Sequence, residues 1–480
     1  MAPSATSTAL PTPPYTTSPD LSPHDGASPR PPSARRLSPH PILDRPHLER
    51  TLLAAGLRVS EAHLESFYGY LHVRGYESAW EDVVADLTAP KSAPGRRRPS
   101  LPRAFLRHLL RREENGGGRA FASLSLGLSS ATTSAAGDTT KLVLATADGH
   151  AIEAVMMRHA GGRNTACVSS QVGCAMGCTF CATGTMGLRG SLNTGEILEQ
   201  LVWLERTTGE KVRNVVFMGM GEPLDNYDAV VAACRSMINR HSFALGHGKV
   251  TVSTVGIVHA MRRFTADCPQ VNLALSLHAP NEEMRRKIVP TAKRFELRRM
   301  VEALEGHSQV AEAQQGRGMG MSRRRRRAMI EYIMLTGPTS SFACAHQLGQ
   351  LVENKKIMVN LIPYNSTDVR DTLSCPPIED MLNFRDIVAT YGVLCTIRRT
   401  MGADIAGACG QLVKAKERKQ RQRQSQQQQG VEKTLQAIVD IEDGPMLRPL
   451  TKAPVTILLQ ERVSHTSKDS GSRGREGGGG

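Results

Sequence analysis

Hydrophobic residues recur along this chain with two different periods. From Leu48 to Leu110, apolar positions return every three to four residues, which predicts helices. From about Asn164 to Thr400, short and nearly continuous apolar runs alternate with longer stretches of helical period. Such alternation is typical of parallel strands covered by helices. The pattern therefore predicts an α/β fold, a TIM-like barrel closed fully or in part, with its active site at the carboxyl ends of the strands.

The apolar runs give the bounds of the predicted elements. Strands are expected at 167–169, 213–219, 249–256, 271–278, 329–335, 357–364 and 394–399. Helices are expected at 194–206, 226–240, 294–306, 340–355 and 378–392. Before the barrel, two apolar runs flank Asp148-Gly149, which predicts a β-ribbon. A stretch from His307 to Arg327, ending in five arginines, is expected to be a solvated insertion.

Composition shifts divide the chain into seven segments. They are a disordered leader (1–45), a helical accessory domain (46–115), a flexible linker (116–139), the β-ribbon (140–160), the barrel (161–400), a C-terminal cysteine segment (401–415) and a disordered basic, Gln- and Gly-rich tail (416–480). The leader is rich in Pro, Ser and Thr, poor in acids and contains Arg30, Arg35 and Arg36, which is also compatible with an organellar transit peptide.

Charge narrows the class of partner. Lys and Arg number 60 against 45 Asp and Glu, which gives a net charge of +15 in 480 residues. A basic protein of this kind favours a polyanionic partner, most simply RNA, although basic tails contribute part of the excess. The 10 cysteines are clustered, which favours a reducing compartment and a metal or catalytic use. No apolar run reaches the length of a membrane span.

Three of these cysteines form the most informative motif, C-x3-C-x2-C at Cys174, Cys178 and Cys181. Zinc usually takes four ligands in two separated pairs, and no fourth Cys or His follows at finger spacing, so a zinc ribbon is the weaker interpretation. Three thiolates in one loop suit a 4Fe-4S cluster with one open iron. The motif and its surroundings, CVSSQVGC and CTFCATGTMG, resemble the radical S-adenosylmethionine (SAM) superfamily, and within it the RlmN-type RNA adenine methyltransferases. The helical segment 46–115 resembles the RNA-contacting accessory domain of that family in its position and its LP-x-x-x-L pattern.

The resemblance implies further ligands for SAM, whose amino and carboxylate groups would bind the open iron. Gly221 and Glu222 in GMGEP match the motif that holds the SAM amino group. The other residues that match SAM contacts of the family are Ser253, Ser276, Leu277, His278 and Asn365. Most lie in or just after the carboxyl halves of predicted strands, where a barrel binds its ligands.

The resemblance also assigns two catalytic cysteines. Cys409, in ACGQL, matches the cysteine that a first SAM methylates. A second SAM then yields a 5′-deoxyadenosyl radical that takes hydrogen from the methylcysteine, and the carbon radical adds to carbon 2 of an adenine. Cys167 would form a transient disulfide with Cys409 as the RNA adduct breaks. A radical suits this carbon because it is electron-poor and cannot attack SAM as a nucleophile.

Two other positions bear on activity. Glu153 matches the family's proton acceptor, although a surface strand glutamate is the plain alternative. Met401 departs from the family, which usually has arginine before the glycine of R-G-x-D-I. An arginine there could position a phosphate or the SAM carboxylate.

The expected activity is methylation of adenine carbon 2 in large-subunit rRNA, with tRNA as a further substrate. Two alternatives stay open: methylation at carbon 8, as in Cfr-like relatives, and an RNA-binding protein with an inactive cluster. The resemblance implies two SAM per turnover, an electron donor such as flavodoxin or ferredoxin, a monomer and a cytoplasmic location. If residues 1–45 are a transit peptide, the location is a chloroplast or mitochondrion.

Overall fold

The computed structural model describes residues 35, 37–76, 78–89, 99, 101–111, 119–291, 295–315, 328–337, 339–367 and 373–412. The predicted tail from 416 onwards, the arginines Arg323 to Arg327 and most of the predicted leader lie outside these residues. Within the described chain, no helix is both long and apolar enough to cross a bilayer.

The elements are numbered here in chain order. The α-helices are α1 (Arg45–Ala54), α2 (Glu61–Arg74), α3 (Trp80–Thr88), α4 (Arg103–Leu109), α5 (Thr194–Thr208), α6 (Tyr227–Ile238), α7 (Val258–Asp267), α8 (Glu282–Ile288), α9 (Leu297–Gln315), α10 (Phe342–Val352) and α11 (Ile378–Ala389). The strands are β1 (His40–Pro41), β2 (Phe121–Ala122), β3 (Gly127–Thr133), β4 (Thr139–Ala145), β5 (Ala151–His159), β6 (Arg163–Cys167), β7 (Gln171–Cys174), β8 (Gly187–Ser191), β9 (Asn214–Phe217), β10 (Val250–Thr254), β11 (Asn272–Ser276), β12 (Ala328–Met334), β13 (Ile357–Pro363) and β14 (Cys395–Ile397).

One sheet organises the molecule. Its strand order is β14-β13-β12-β11-β10-β9-β6-β5-β4-β3, and the pairs from β6 to β14 are all parallel. The ribbon β4–β5 extends this sheet antiparallel to β6 and turns at Asp148-Gly149, as predicted. Because β14 and β3 are the two ends of the strand order, the barrel is open. The predicted partial TIM-like barrel is therefore confirmed.

The register sends the carboxyl ends of all the parallel strands to one edge, here called the mouth. The first barrel strand, β6, ends at Cys167 rather than beginning there as predicted. Apolar strands fit this position because both of their faces are covered; in β11, for example, Leu273, Ala274 and Leu275 are fully buried.

Two predicted unstructured segments contain ordered structure. In the linker predicted at 116–139, β3 pairs along its length with β4, since this polar segment needs backbone partners only and its side chains are exposed. At the end of the predicted leader, Ile42 and Leu43 are buried, and Arg35 forms ion pairs with Asp148 at 2.6 Å and Glu196 at 2.8 Å. These predictions of disorder were therefore wrong for residues 127–133 and for the described residues up to 45.

The predicted insertion begins later than expected. Helix α9 continues through His307, where the prediction placed solvated chain. His307 is buried, and its ring nitrogens contact the Val271 carbonyl at 2.9 Å and the Thr265 hydroxyl at 3.1 Å. Because these partners satisfy the hydrogen-bonding groups of the buried ring, α9 can continue past a polar residue into the core.

Candidate active site

The three motif cysteines lie in a tight loop at the mouth, between β7 and β8. Glycine is required twice in this loop. Gly173 has φ +76°, and a Cβ there would lie 1.9 Å from the Gly187 carbonyl oxygen. A Cβ on Gly184 would approach the Cys178 backbone N and O to 3.0 Å each. The loop can therefore fold back on itself only where side chains are absent.

The environment of the three thiols fits a cluster. Burial raises the pKa of Cys174 to about 12 and the pKa of Cys178 well above its ordinary value, and it also raises the pKa of Cys181. The charges of Cys181 and Cys174 add to the effect on Cys178. Buried thiols lose their protons when a metal binds them. The donor set and the glycine-shaped loop thus fit a 4Fe-4S cluster held by these three residues.

Glu222 lies beside this loop, at the end of β9. Its carboxylate is buried and accepts backbone N–H groups from Val255 at 2.9 Å and Leu224 at 3.1 Å. Burial raises the Glu222 pKa to about 7, although a hydrogen bond from Thr254 acts in the opposite direction. Its charge also raises the pKa of Cys174. An ammonium group at the cluster would find an acceptor here.

Gly221 allows the turn that carries Glu222 to pack closely against β7. Its φ is +100°, and a Cβ would lie 2.6 Å from the Gln171 Cβ and 2.8 Å from the Gln171 nitrogen. The GMGEP turn is thereby packed directly against the strand that leads into the cysteine loop.

The residues predicted on β10 and β11 meet at the same edge of the sheet. The hydroxyls of Ser253 and Ser276 lie 3.0 Å apart. His278 has φ +64°, and its Nδ1 accepts the Ile333 N–H at 3.2 Å. Burial, followed by the charge of Arg285, lowers the His278 pKa to about 3, so its ring is neutral. Leu277 is fully buried, and its backbone N–H donates to the Glu331 carbonyl at 3.1 Å.

A buried arginine fixes the ends of these two strands. Arg285, in α8, donates to the carbonyls of Leu277 at 2.9 Å, Ser276 at 3.2 Å and Val255 at 2.5 Å. Burial lowers its pKa to about 10, while the charges of Cys178, Glu282 and Glu222 oppose that shift. The sequence pattern predicted neither α8 nor this role for Arg285.

The C-terminal segment crosses the mouth and places Cys409 there. Asn365, just after β13, donates to the Cys409 carbonyl at 3.1 Å. Ala182 in the cysteine loop donates its N–H to the Gly410 carbonyl at 2.8 Å, and the Thr183 hydroxyl donates to the Leu412 carbonyl at 2.8 Å. The segment is therefore fastened both to a barrel strand and to the cysteine loop.

Cys409 and Cys167 line one small pocket. Cys167 is almost fully buried at the end of β6, whereas the Cys409 side chain is exposed in the pocket. Burial raises the pKa of Cys167 to about 12, and the nearby Cys409 adds to the shift. The surrounding protein also raises the pKa of Cys409, with Arg398 opposing this shift. Both cysteines are free, and the tertiary fold brings together two residues that are far apart in sequence.

The sequence reasoning missed Arg398, which lies at the same pocket, and its partner Glu331. Arg398 lines it, and its Nη1 lies 3.8 Å from the buried Glu331 carboxylate and 3.2 Å from the Met218 sulfur. The Asn360 amide donates to Glu331 at 3.3 Å. The signal for this pair was present in the sequence, since MIEYIML places one carboxylate inside an apolar strand.

Glu153 shares a face of the sheet with Cys167, but the structure does not place it in the pocket lining. On β5, Val155 is the register partner of Cys167, and Glu153 lies two residues before it on the same face. Its buried carboxylate lies 3.6 Å from the Lys141 ammonium. Lys141 also donates to the Ala406 carbonyl at 3.2 Å, which links this strand to the segment carrying Cys409.

Met401, the departure from the family pattern, is buried and lines the pocket with the two cysteines. This wall of the pocket is therefore apolar at the position where the family pattern leads us to expect arginine, while Arg398 and Arg399 line the pocket nearby.

Comparisons with known proteins show the superfamily. A model of the radical SAM superfamily matches residues 168–308. A radical SAM methyltransferase from Sphaerobacter thermophilus has a similar crystal structure, with a TM-score of 0.63 and 31% identity over 78% of this chain and 99% of that one. The open parallel barrel with a three-cysteine loop at its mouth defines a radical SAM enzyme, which uses a 4Fe-4S cluster and SAM.

Curated relatives define the family more closely. A probable dual-specificity RNA methyltransferase RlmN from Desulforamulus reducens is 38% identical over 286 residues, 60% of this chain and 77% of the relative. A ribosomal RNA large subunit methyltransferase N from Nitrosopumilus maritimus is 39% identical over 285 residues, 58% of this chain and 77% of the relative. The chain belongs to the RlmN family of radical SAM RNA methyltransferases.

Proposed function

We propose that this protein methylates carbon 2 of an adenine in large-subunit rRNA, and also in tRNA, with Cys409 as the methyl carrier. The observation that carries the proposal is the pocket shared by Cys409 and Cys167 beside the cysteine loop. A protein that only bound RNA would need neither cysteine. The names of the relatives, which include ribosomal RNA and dual-specificity RNA methyltransferases, support the same class of substrate.

The residues at the mouth would bind the cluster and SAM. Cys174, Cys178 and Cys181 would hold the cluster, and Gly221 and Glu222 would receive the SAM amino group. Ser253, Ser276, Leu277, His278 and Asn365 complete the proposed SAM site. When bound, the cluster and SAM would supply the radical chemistry by one-electron cleavage of SAM.

Cys409, Cys167 and Glu153 would act in the transfer of the methyl carbon to the adenine. The Cys409 sulfur takes a methyl group from a first SAM, so that two SAM are used per turnover. After that carbon has bonded to the adenine, Glu153 accepts the proton of adenine carbon 2. Cys167 then bonds to the Cys409 sulfur as the carbon–sulfur bond breaks, and the proton of the Cys167 thiol completes the methyl group on the freed carbon. The one surplus electron would pass to the bound cluster. The position of both thiols in one pocket supports this step.

Partners and location complete the proposal. An electron donor such as flavodoxin or ferredoxin would reduce the enzyme, which we expect to act as a monomer in the cytoplasm. A fluorescent fusion of residues 1–45 tests the alternative location, since a transit peptide would carry it into a chloroplast or mitochondrion.

Mass spectrometry of nucleosides tests the reaction. Reconstituted protein is incubated anaerobically with rRNA or tRNA, SAM and a reductant, and wild type is compared with Cys409→Ala. We expect 2-methyladenosine from wild type only. 8-Methyladenosine would move the protein to the Cfr-like activity. SAM cleavage without any methylated adenine would contradict the proposal.

A further inference from the structure

The face of the barrel opposite the mouth carries a large groove that the proposed reaction does not use. Its cavity volume is about 1370 Å³. The groove runs between the end of α2, the β5–β6 turn, the end of α5 and the loop before β10. Arg163 begins β6, Arg213 directly precedes β9 and Lys249 directly precedes β10. The groove therefore lies at the amino ends of the parallel strands.

The groove is rich in cations that have no acidic partner. Arg163, Arg206, Arg213 and Lys249 line it, and none of the four forms an ion pair with another described residue. Arg163, Arg206 and Arg213 are exposed. Other surface cations differ from these four: Lys287, Arg298, Arg299 and Lys356 each contact a carboxylate.

The acidic residues of the groove are already neutralised. Glu205 pairs with Lys211 at 2.6 Å, and Glu210 pairs with Arg158 at 2.7 Å. The four remaining cations therefore give the groove a positive potential, which attracts a polyanion over distances of a Debye length, about 8 Å at physiological salt.

The floor of the groove is partly apolar and is held in place. The rings of Tyr76 and Phe243, which both line it, stack with centroids 4.8 Å apart, and the Tyr76 hydroxyl contacts Ser242 at 3.2 Å. Arg206 lies over the Trp203 ring at 5.1 Å, so its guanidinium is supported at the rim. Cations and aromatic rings in one concavity are typical of surfaces that bind nucleic acids.

We propose that this groove is a second RNA-binding surface, which takes the sugar–phosphate backbone of the substrate at a segment remote from the modified adenine. The inference rests on the proposed function in one respect, namely that the substrate is RNA. Charge favours this occupant because a phosphate backbone supplies closely spaced negative charges along its length. The distance between the groove and the mouth favours a long RNA, because the five residues of β10 alone span roughly 16 Å between these two ends of the barrel.

The test compares two RNA probes by fluorescence anisotropy over a series of salt concentrations. One probe is a full-length tRNA transcript, and the other is a short stem-loop from it that contains the adenine and can occupy only the mouth. The groove variant is Arg163→Gln, Arg206→Gln, Arg213→Gln and Lys249→Gln combined. A matched control combines Lys287→Gln, Arg298→Gln, Arg299→Gln and Lys356→Gln, which removes the same charge from α8, α9 and the end of the α10–β13 loop.

For the tRNA, we expect the groove variant to bind at least roughly tenfold more weakly at low salt, with a slope of log K against log salt that is smaller by about 3, since each lost phosphate contact removes roughly 0.7–0.9. Binding of the stem-loop should not change. The control should bind both probes like wild type, and replacing the three arginines of the groove by lysine should preserve binding.

Three outcomes would overturn the proposal. In the first, the groove variant binds tRNA with the affinity and salt slope of wild type. In the second, the control variant loses as much affinity for tRNA as the groove variant does. In the third, the groove variant loses as much affinity for the stem-loop as for tRNA. Binding is measured without SAM or turnover, so its result does not depend on the methylation chemistry. Failure of wild type to methylate either probe would count against the proposed function alone.

Discussion

The two ends of the barrel hold ionisable side chains in opposite environments. At the mouth, Cys167, Glu222, His278 and Arg285 are buried, and burial is the largest influence on the pKa of each. At the groove, three of the four cations that lack an acidic partner are exposed. Burial changes the reactivity of a group, whereas exposure leaves it charged and able to attract a distant polyanion. Substitutions at the two ends should therefore have separable effects, on chemistry at the mouth and on RNA affinity at the groove.

The largest effect is expected from Cys178→Ser. Loss of one of three thiolate ligands should remove the bound iron, the visible absorption of the cluster and all methylation, while RNA affinity stays within twofold of wild type. The matched control is Cys375→Ser, a partly buried cysteine that packs against the same hydrophobic cluster but lies outside the motif. Full iron content in Cys178→Ser would show that the loop is not the cluster site.

Glu153→Gln should slow methylation by roughly 10²- to 10⁴-fold, the range typical of a removed general base. The volume is conserved and the Lys141 contact loses only its charge, so cluster content and SAM cleavage should persist. Single-turnover kinetics with the stem-loop RNA measure the effect. Lys141→Met provides the comparison, since loss of the ion pair alone should cost less activity than loss of the carboxylate. Equal rates for wild type and Glu153→Gln would leave this residue with a structural role only.

Gly221→Ala should destabilise the fold by roughly 1–3 kcal/mol through its φ of +100°, with a further cost from overlap with Gln171. Urea unfolding measures the change, and SAM binding should weaken with it because Glu222 is the next residue. The control is Gly137→Ala, where φ is +70° but no atom lies within 4 Å of the added Cβ. If both variants lose the same free energy of unfolding, close packing of the GMGEP turn does not add to the destabilisation of Gly221→Ala.

The smallest effect is a pH dependence that arises from His278. Its pKa is about 3 in the folded protein against 6.5 for an ordinary histidine, so below about pH 6.5 the unfolded chain binds a proton that the folded chain does not. Stability from this residue is therefore lost as pH falls, by up to about 1.4 kcal/mol per pH unit. In His278→Asn, which suits a φ of +64°, unfolding free energy should fall less between about pH 7 and about pH 5.

The exposed His259 provides the control for this experiment. His259→Asn should leave the pH dependence of stability as it is in wild type. A His278→Asn protein with the same pH dependence as wild type would mean that the buried ring is not the group responsible.

Much of the architecture could be predicted from the local pattern of apolar and turn residues. The apolar runs predicted six of the seven parallel strands and misplaced the first, β6, while Asp148-Gly149 predicted the ribbon turn. Period and turn chemistry are properties of adjacent residues. The same reasoning failed at β3, whose polar strand is held by backbone pairing with β4, and at His307, whose polar ring is satisfied by partners in other elements. Neither set of partners is visible from the residues nearby in sequence.

The sequence by itself determined the chemistry available, since the three cysteines and the glycines that allow their loop are contained within one short segment. Only the tertiary structure decided where Cys409 would lie, because its position depends on hydrogen bonds to Asn365 and Ala182 from distant parts of the chain. It also decided that Glu331 pairs with Arg398, which lines the pocket, and that four cations gather at the opposite face. Parallel strands in register bring their ends together regardless of the length of chain between them, and that is the information which no local pattern contains.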